Sequence, residues 1–538
     1  MPQEPPQTKT PSDAAAVAGH TTALRRSQFL IPSVVDLLFA TLLFGLSCGA
    51  LGRLLLRDSD IGWHIRNGQQ ILLTHAIPRT DSFSATMSGH TWYAWEWLYD
   101  GLIAAIHHVF GLNGVVFYTA AIIAATFVLT LHLGLRRGGS LPVTLFLLIL
   151  ALGASAVHFL ARPHVLSWLF TVIWFELLDS AENRAGSGKS LFWLPALMVL
   201  WVNLHGGFVM GFLLLAVYVL GGAIQYLAAR EQRDDNRRWL ARLGVCSGLS
   251  LAASFINPYG YHLHVHVFRY LSDRFLMNQI SEFLSPDFHG AAQQCFVVLL
   301  LVTLVALASA PRKLNPARLL VILFAAYSGL YATRNLPASS LLIALIIAPL
   351  LSQAIAEGGR NPGLASWLRG SLSRPDSFGS RMGNMESQFR GHLWLILVFV
   401  LGLWACRHDG KLGSTPFINA YFDSKRFPVE ASEIIARRDI HEPIFSLDYW
   451  GGYLIYRLYP QTKVVVDDRH DLYGDQFFKD YLKVVMVHPD WEKILDEKHV
   501  EWVLVPSESS LANMMKLRSS WIVAYEDKAA VLFRRVIR

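Results

Sequence analysis

Residues 58–100 read DSDIGWHIRNGQQILLTHAIPRTDSFSATMSGHTWYAWEWLYD and follow directly on an apolar run at roughly 33–56, long enough to span a bilayer. The stretch carries Asp58, Asp60, His64, His75, Asp81, Glu96 and Asp100. Acid–base side chains placed where a chain leaves the bilayer point to chemistry at the membrane surface.

The flanking sequence supports a membrane protein. The 538 residues are 53% hydrophobic and only 16% charged, against roughly 25% charged in soluble domains. The net charge of +7 is therefore read loop by loop as topology, and no nucleic-acid partner is expected. A spanning helix needs roughly 20 apolar residues. Eleven segments are read as spans, at roughly 33–56, 112–135, 141–160, 164–180, 190–204, 207–229, 239–256, 291–310, 317–332, 336–354 and 391–406, with an ambiguous apolar stretch at 97–110. Residues 1–28 are rich in Pro, Thr, Ala and Gln and read as a disordered tail. The segment after Arg25 and Arg26 lacks a small-residue cleavage site and reads as a retained helix. Cys48, Cys246, Cys295 and Cys406 lie in or at the ends of apolar runs, so neither a structural disulfide nor a CxxC metal site is expected.

Loop charge sets the orientation. Arg25/Arg26, Arg136/Arg137, Arg184/Lys189, the five arginines of 230–242, Arg312/Lys313/Arg318 and the Arg-rich 360–390 loop fall on one side, the cytoplasmic one by the positive-inside rule. The other side receives the 57–111 loop, Ala161-Arg162-Pro163-His164, Asn203-Leu204-His205-Gly206-Gly207, the 257–290 loop, Thr333-Arg334-Asn335 and everything after 406. The expectation is a cytoplasmic N-terminal tail, a transmembrane domain over 29–406 and an extracytoplasmic domain over 407–538, in the inner (cell) membrane. Ionisable groups at membrane depth are costly and tend to line a site; interfacial anchoring is the competing reading for any one of them.

Within the outer loop, Ile61, Ile65, Ile71 and Leu72 suit a helix lying flat on the membrane, ended near Pro78. Trp92–Trp97 suits the headgroup level, with a second surface helix running to about Phe110. A carboxylate at Asp58 or Asp60 can act as general base, can help hold a divalent metal, or can cap the helix that follows; Asp60 is favoured for chemistry. Glu96, between Trp95 and Trp97, does not read as a cap, and a carboxylate among indoles should titrate high. Arg162 and Arg334 fit phosphate, which a guanidinium grips in a fork. His205 precedes two glycines that permit close approach or a helix break. His262, His264 and His266 look like a metal site, but only His262 and His266 share a helix face. Glu282, Asp287 and His289 form another acidic outer loop.

From Arg407 the composition becomes that of a globular domain. Strands are read at 443–447, 464–466, 502–505, 522–525 and 530–533, and helices at 428–438, 474–485, 489–498 and 508–517, an α/β layer. Asp467-Asp468-Arg469 falls at a strand end, where open α/β sheets place ligands, and Tyr449-Trp450-Gly451-Gly452-Tyr453 reads as an aromatic surface.

Asp58–Gly68, Pro78–Ser84 and Trp92–Leu98, with Ala161–His164, Trp201–Gly207, Asn257–Gly260, Arg334-Asn335 and Trp450–Tyr453 as later landmarks, resemble the bacterial multi-spanning glycosyltransferase-C-like (GT-C) proteins. The resemblance covers most of residues 30–475. It implies a GT-C-like polytopic α-helical membrane fold and transfer of a sugar from a polyprenyl-phosphate donor, on the outer face, to a glycan, lipid or protein acceptor. It implies Asp60 as the loop carboxylate, with Asp58, His64 and Glu96 at neighbouring motif positions. Arg162, His164, His205 and Arg334 are the substrate-binding candidates, the arginines by their chemistry. No cofactor is fixed by the sequence; a divalent metal at the carboxylates is the one candidate. The chain departs from the pattern at Gly62, where the family usually has Trp. The competing readings are a non-catalytic GT-C-like scaffold or lipid-sugar-binding protein, and a transporter or flippase; the latter usually shows repeat halves and mid-membrane charge.

Overall fold

A computed structural model of the chain describes residues 31–183, 189–228, 231–311, 313–367, 369–373, 379, 383, 391 and 393–536. The tail expected over residues 1–28, together with Arg184, Arg230, Arg312 and most of 374–390, lies outside these. A helix overlies each of the eleven apolar segments. Among the described residues, five helices are long and apolar enough to cross a membrane: Trp97–Arg136, Leu141–His158, Gly206–Ala228, Ala291–Ala308 and Thr333–Arg360. Four further apolar helices are shorter: Val34–Ser47, Lys189–Leu204, Pro316–Tyr331 and Leu393–Arg407. Length and composition thus support a multi-pass membrane fold with five spans of full length; the expected count of eleven rests on sequence. The first segment is two helices, Val34–Ser47 and Gly49–Leu54, broken where Cys48 is extended (φ −99°, ψ 148°) ahead of Gly49 at φ 60°. The ambiguous 97–110 stretch is the first part of Trp97–Arg136, which turns at Gly111 (φ 60°, ψ −159°).

The loop helix, Asp60–Thr74, lies against Trp97–Arg136 and against Asp448–Leu458 of the C-terminal domain. Ile61, Ile65 and Ile71, read as a membrane-facing stripe, are buried in protein instead. The helix is wedged so closely that a Cβ on Gly62 would strike the Gly452 carbonyl oxygen, and one on Gly452 the Ser59 carbonyl oxygen. No tryptophan fits at Gly62, which accounts for the departure from the family pattern. The helix ends at His75, which takes a left-handed conformation (φ 53°, ψ 27°).

Beyond Leu393–Arg407 come a short hairpin, β1 (Lys411–Leu412) with β2 (Thr415–Pro416), and a four-stranded sheet of β3 (Ile444–Ser446), β4 (Trp502–Pro506), β5 (Trp521–Glu526) and β6 (Ala530–Arg535) in the order β3-β4-β6-β5. β3 and β4 are parallel, with Phe445 opposite Val503; the other pairs are antiparallel, with a bulge between Val523 and Tyr525. Side chains alternate across a strand. Trp502 and Leu504 accordingly join the main core that continues into the membrane helices, while Val503 and Val505 join a second core with Phe445, Trp491 and Phe533. The domain is therefore built onto the membrane part by one sheet face.

Two expectations for this domain are corrected. Tyr449–Tyr453 is not a surface beside a strand but the start of the helix Asp448–Leu458, and its glycines serve close packing. Residues 464–466 form no ladder of their own. Val464 makes single parallel bridges to Ser84 of the outer loop and to Ile444, so this segment stitches the loop to the sheet.

Candidate active site

At the ends of the helices, where the outer loop and the C-terminal domain meet, lies a cavity of about 390 Å³. Asp60 and His64 enter it from the loop helix, Glu96 from the aromatic segment, Arg162 and His164 from the break before the helix His164–Asn183, His205 from the turn after Trp193–Leu204, and Arg334 from the turn before Leu336–Arg360. Asp58 reaches the same group through Arg162. The structure thus places all eight candidate residues around one space, though they come from five separated stretches. His262 stacks on Tyr261 and His264 meets Ser254; of that histidine run, only His266 approaches the site, through Asp471 at 3.1 Å.

Arg162 is the hub. One guanidinium nitrogen lies 2.6 Å from Asp60 Oδ2, and the other lies 3.1 Å from Asp58 Oδ2 and 3.8 Å from Glu282 Oε2. Glu282 also lies 3.6 Å from Arg334, whose guanidinium sits over the Phe283 ring. Asp58 also acts on the backbone. Its Oδ1 accepts the Asp60 N–H at 3.1 Å, so one aspartate holds the helix start while the other faces the cavity. Burial works against ionisation of Asp58, but Arg162 and the Asp60 N–H outweigh it and hold its pKa low. Asp60 is driven the other way, well above the usual carboxylate range, by burial and by Asp468 and Asp58 against the pull of Arg162. Burial also opposes charge on Glu282, yet Arg334 and Arg162 bring it to about 2.

Asp468, which reading by pattern left among the alternatives, also lines the cavity. It comes from the C-terminal domain, accepts a hydrogen bond from the Ser59 hydroxyl at 3.0 Å and has a buried Oδ1 with no hydrogen-bond partner among the described residues. Asp58, Asp60 and Asp468 each offer a carboxylate oxygen within 4.8 Å of the others. A neighbouring lock sets the position of Asp468. Arg469, 3% exposed, donates hydrogen bonds to Asp467 at 2.8 and 2.7 Å and forms an ion pair with Asp81 at 2.8 Å, beneath the rings of Trp92 and Phe83.

On the other wall, His64 Nδ1 lies 2.5 Å from Asp100 Oδ1, and Asp100 Oδ2 accepts from Asn67 at 2.6 Å. Glu96 lies between two imidazoles, 3.7 Å from His64 Nε2 and 3.5 Å from His205 Nε2. Burial raises Glu96 to about 7, against the pull of His64, and lowers His64 to about 4, against the pull of Glu96. With His64 neutral, these are approaches between an acid and imidazole nitrogens rather than ion pairs. Glu96 is the residue that precedes the helix Trp97–Arg136 and Asp100 lies in its first turn, four positions on in the sequence.

No protein-family model and no curated protein sequence matches the chain. Its backbone is similar to two structures of the oligosaccharyltransferase AglB of Archaeoglobus fulgidus. The apo form shares 12% identity at a TM-score of 0.51, and the complex with an inhibitory peptide and a dolichol-phosphate shares 11% at 0.52; each match covers 88% of this chain and 69% of AglB. ArnT from Cupriavidus metallidurans, bound to undecaprenyl phosphate, aligns at 13% identity and a TM-score of 0.49 over 94% of this chain and 98% of its own. The likeness to AglB shows that the chain has the GT-C-like multi-pass membrane fold its motifs resemble.

Proposed function

We propose that the protein is a membrane glycosyltransferase that moves a sugar from a polyprenyl-phosphate donor to an envelope acceptor (glycan, lipid or protein) at the outer face of the inner membrane, with the N-terminal tail cytoplasmic and residues 407–538 extracytoplasmic. The observation that carries this reading is Arg162, a half-buried guanidinium held by Asp58 and Asp60 in a polar cavity. Arg334 lines the same cavity, and the two arginines suit a phosphate that gains charge as the sugar leaves. A complex of AglB, the fold relative, holds a dolichol-phosphate, which is the donor chemistry proposed here.

In the reaction, an acceptor oxygen forms its bond to the anomeric carbon while the bond from that carbon to the phosphate oxygen breaks. The electron pair leaves with the polyprenyl phosphate, whose charge Arg162 and Arg334 offset, and the acceptor proton passes to a carboxylate of the cavity. One displacement inverts the anomeric centre. The all-oxygen set of Asp58, Asp60 and Asp468 fits a hard divalent cation, and the orphaned Asp468 Oδ1 supports that fit. Such an ion, when bound, would add positive charge beside the phosphate. His164, whose Nε2 bonds the His158 carbonyl at 2.8 Å, and His205 shape the donor pocket.

The test is a transfer assay on purified protein in lipid with a panel of polyprenyl-phosphate sugars, comparing wild type with Asp60→Asn. Release of polyprenyl phosphate by wild type, reduced about 100-fold in the variant because Arg162 loses the carboxylate that positions it, is the expected result. Donor binding without turnover, equal in both proteins, would replace this reading with that of a lipid-sugar-binding scaffold.

A further inference from the structure

The hydrogen bonds around Glu96 fix which of its neighbours give protons and which receive them. Trp201 Nε1–H donates to Ser167 Oγ at 2.8 Å, so the Ser167 hydroxyl is free to donate to His205 Nδ1 at 2.7 Å. The Gly207 backbone N–H also donates to that nitrogen, at 3.0 Å. His205 Nδ1 is therefore an acceptor, and the neutral ring carries its proton on Nε2, which faces Glu96 Oε1. His64 is held in the opposite tautomer. Asp100 accepts from Asn67 on one oxygen and meets His64 Nδ1 with the other. With Asp100 ionised, a state that the N–H groups of Asn67 and His64 favour together against its burial, the proton stays on Nδ1 and the Nε2 lone pair faces Glu96 Oε2. Glu96 thus has a donor against one oxygen and an acceptor against the other. That is a socket for a carboxyl that ends the reaction protonated.

Resting on the transferase reading above, we propose that Glu96 takes the acceptor proton and that Asp100 is its positioning residue, acting by setting the tautomer of His64. In the step, the acceptor hydroxyl proton goes to Glu96 Oε2. The O–H electron pair forms the bond to the anomeric carbon, and the pair of the broken carbon–oxygen bond leaves on the phosphate. The new Glu96 O–H then donates to His64 Nε2, while His205 Nε2–H continues to donate to Oε1. The two Glu96–His distances exceed ordinary hydrogen bonds and are of the kind that tightens when substrate fills a site. Asp60 is less suited to receive the proton because its Oδ2 is engaged at 2.6 Å by Arg162; it belongs to the phosphate side of the cavity.

The pH dependence follows from the groups that face Glu96: His64, His205, Asp100, Arg162 and Asp471. Burial is the largest influence on Glu96 and holds it near 7, so the wild-type rate should climb through an acidic limb there. Asp100→Asn can present its amide N–H to His64 Nδ1, because its oxygen still satisfies Asn67. That moves the His64 proton to Nε2 and turns a donor toward Glu96, which favours the carboxylate. The acidic limb should then shift down by about one unit or more, with a lower kcat because the base is weaker.

The experiment measures kcat, KM and the pH profile for wild type, Glu96→Gln and Asp100→Asn with the active donor, together with polyprenyl-phosphate binding. The expected result is a loss of about 10²- to 10⁴-fold in kcat for Glu96→Gln with donor binding unchanged, and a downward-shifted limb in Asp100→Asn. A Glu96→Gln enzyme within tenfold of wild type, or an Asp100→Asn profile that superimposes on it, overturns the inference while leaving the transferase reading intact. Binding without turnover by wild type overturns the transferase reading, and the inference with it. Should Asp100→Asn not fold, the protonated-carboxyl infrared band that Glu96→Gln removes carries the test. Titration of that band near 7 supports the assignment, and titration in the ordinary carboxylate range overturns it.

Discussion

At the scale of single residues, the site is a balance between two arginines and the carboxylates that hold them, and Glu282 shows what that balance costs in acid. Its pKa is pulled from 4.5 to about 2: burial pushes it up, but Arg334 and Arg162 outweigh the burial. A depressed carboxyl stabilises the folded protein above its unfolded pKa, and that contribution is lost as pH falls through the folded value. Glu282→Gln should therefore flatten the loss of thermal stability between pH 4.5 and about 2, read as the unfolding midpoint of protein in lipid. An unchanged acid limb in the variant would mean that Glu282 is not ion-paired. Glu96 has the opposite sign: its raised pKa makes the fold lose stability as pH rises from 4.5 to about 7. Much at this scale was legible in the sequence. Asp60, His64, Glu96, Arg162, His164, His205 and Arg334 stand out because ionisable groups are costly where membrane segments end. The role of Asp468 was not legible: it lies 408 positions from Asp60, and only the docking of the C-terminal domain brings the two together.

At the scale of elements, the loop helix Asp60–Thr74 shows why an amphipathic pattern leaves its partner unnamed. Ile61, Ile65 and Ile71 mark a buried face whether the apolar neighbour is lipid or protein, and here it is protein. The glycines held the missing information. Gly62 and Gly452 let two backbones approach so closely that neither position has room for a methyl group. The same contact explains why Trp450-Gly451-Gly452-Tyr453 forms a helix despite its two glycines: packing against the loop helix overrides a local penalty of about 1 kcal/mol per glycine. Gly62→Ala should destabilise the protein by about 1–3 kcal/mol and lower activity by displacing Asp60, two residues earlier on the same helix. Alanine tolerated at Gly62 with wild-type stability would show that the loop helix sits farther from Asp448–Leu458 than this packing requires.

At the scale of the whole molecule, the membrane part and the C-terminal domain form one unit because their polar and apolar contacts are shared. One face of the sheet feeds the main core. Val464 bridges the outer loop to β3, Arg66 donates to the Tyr456 carbonyl at 2.9 Å, and Arg469 ties Asp81 of the loop to Asp467 of the domain. The α/β character of the domain was readable from its alternating elements, but its union with the loop was not, since no local pattern pairs Asp81 with Arg469. Arg469 is where that union is most exposed to test. Replacing it with Met preserves length and apolar contact with Trp92 and Phe83 but leaves two buried carboxylates without their cation. Breaking a buried pair from one side costs about 3–5 kcal/mol. Arg469→Met should lower the unfolding midpoint of the whole protein in a single transition and reduce transfer activity, because Asp468 loses its anchor. Adding Asp81→Asn should recover part of the stability, since one of the stranded charges is then gone. Two separate transitions, with only the domain affected, would show that the cavity is not held together across the interface.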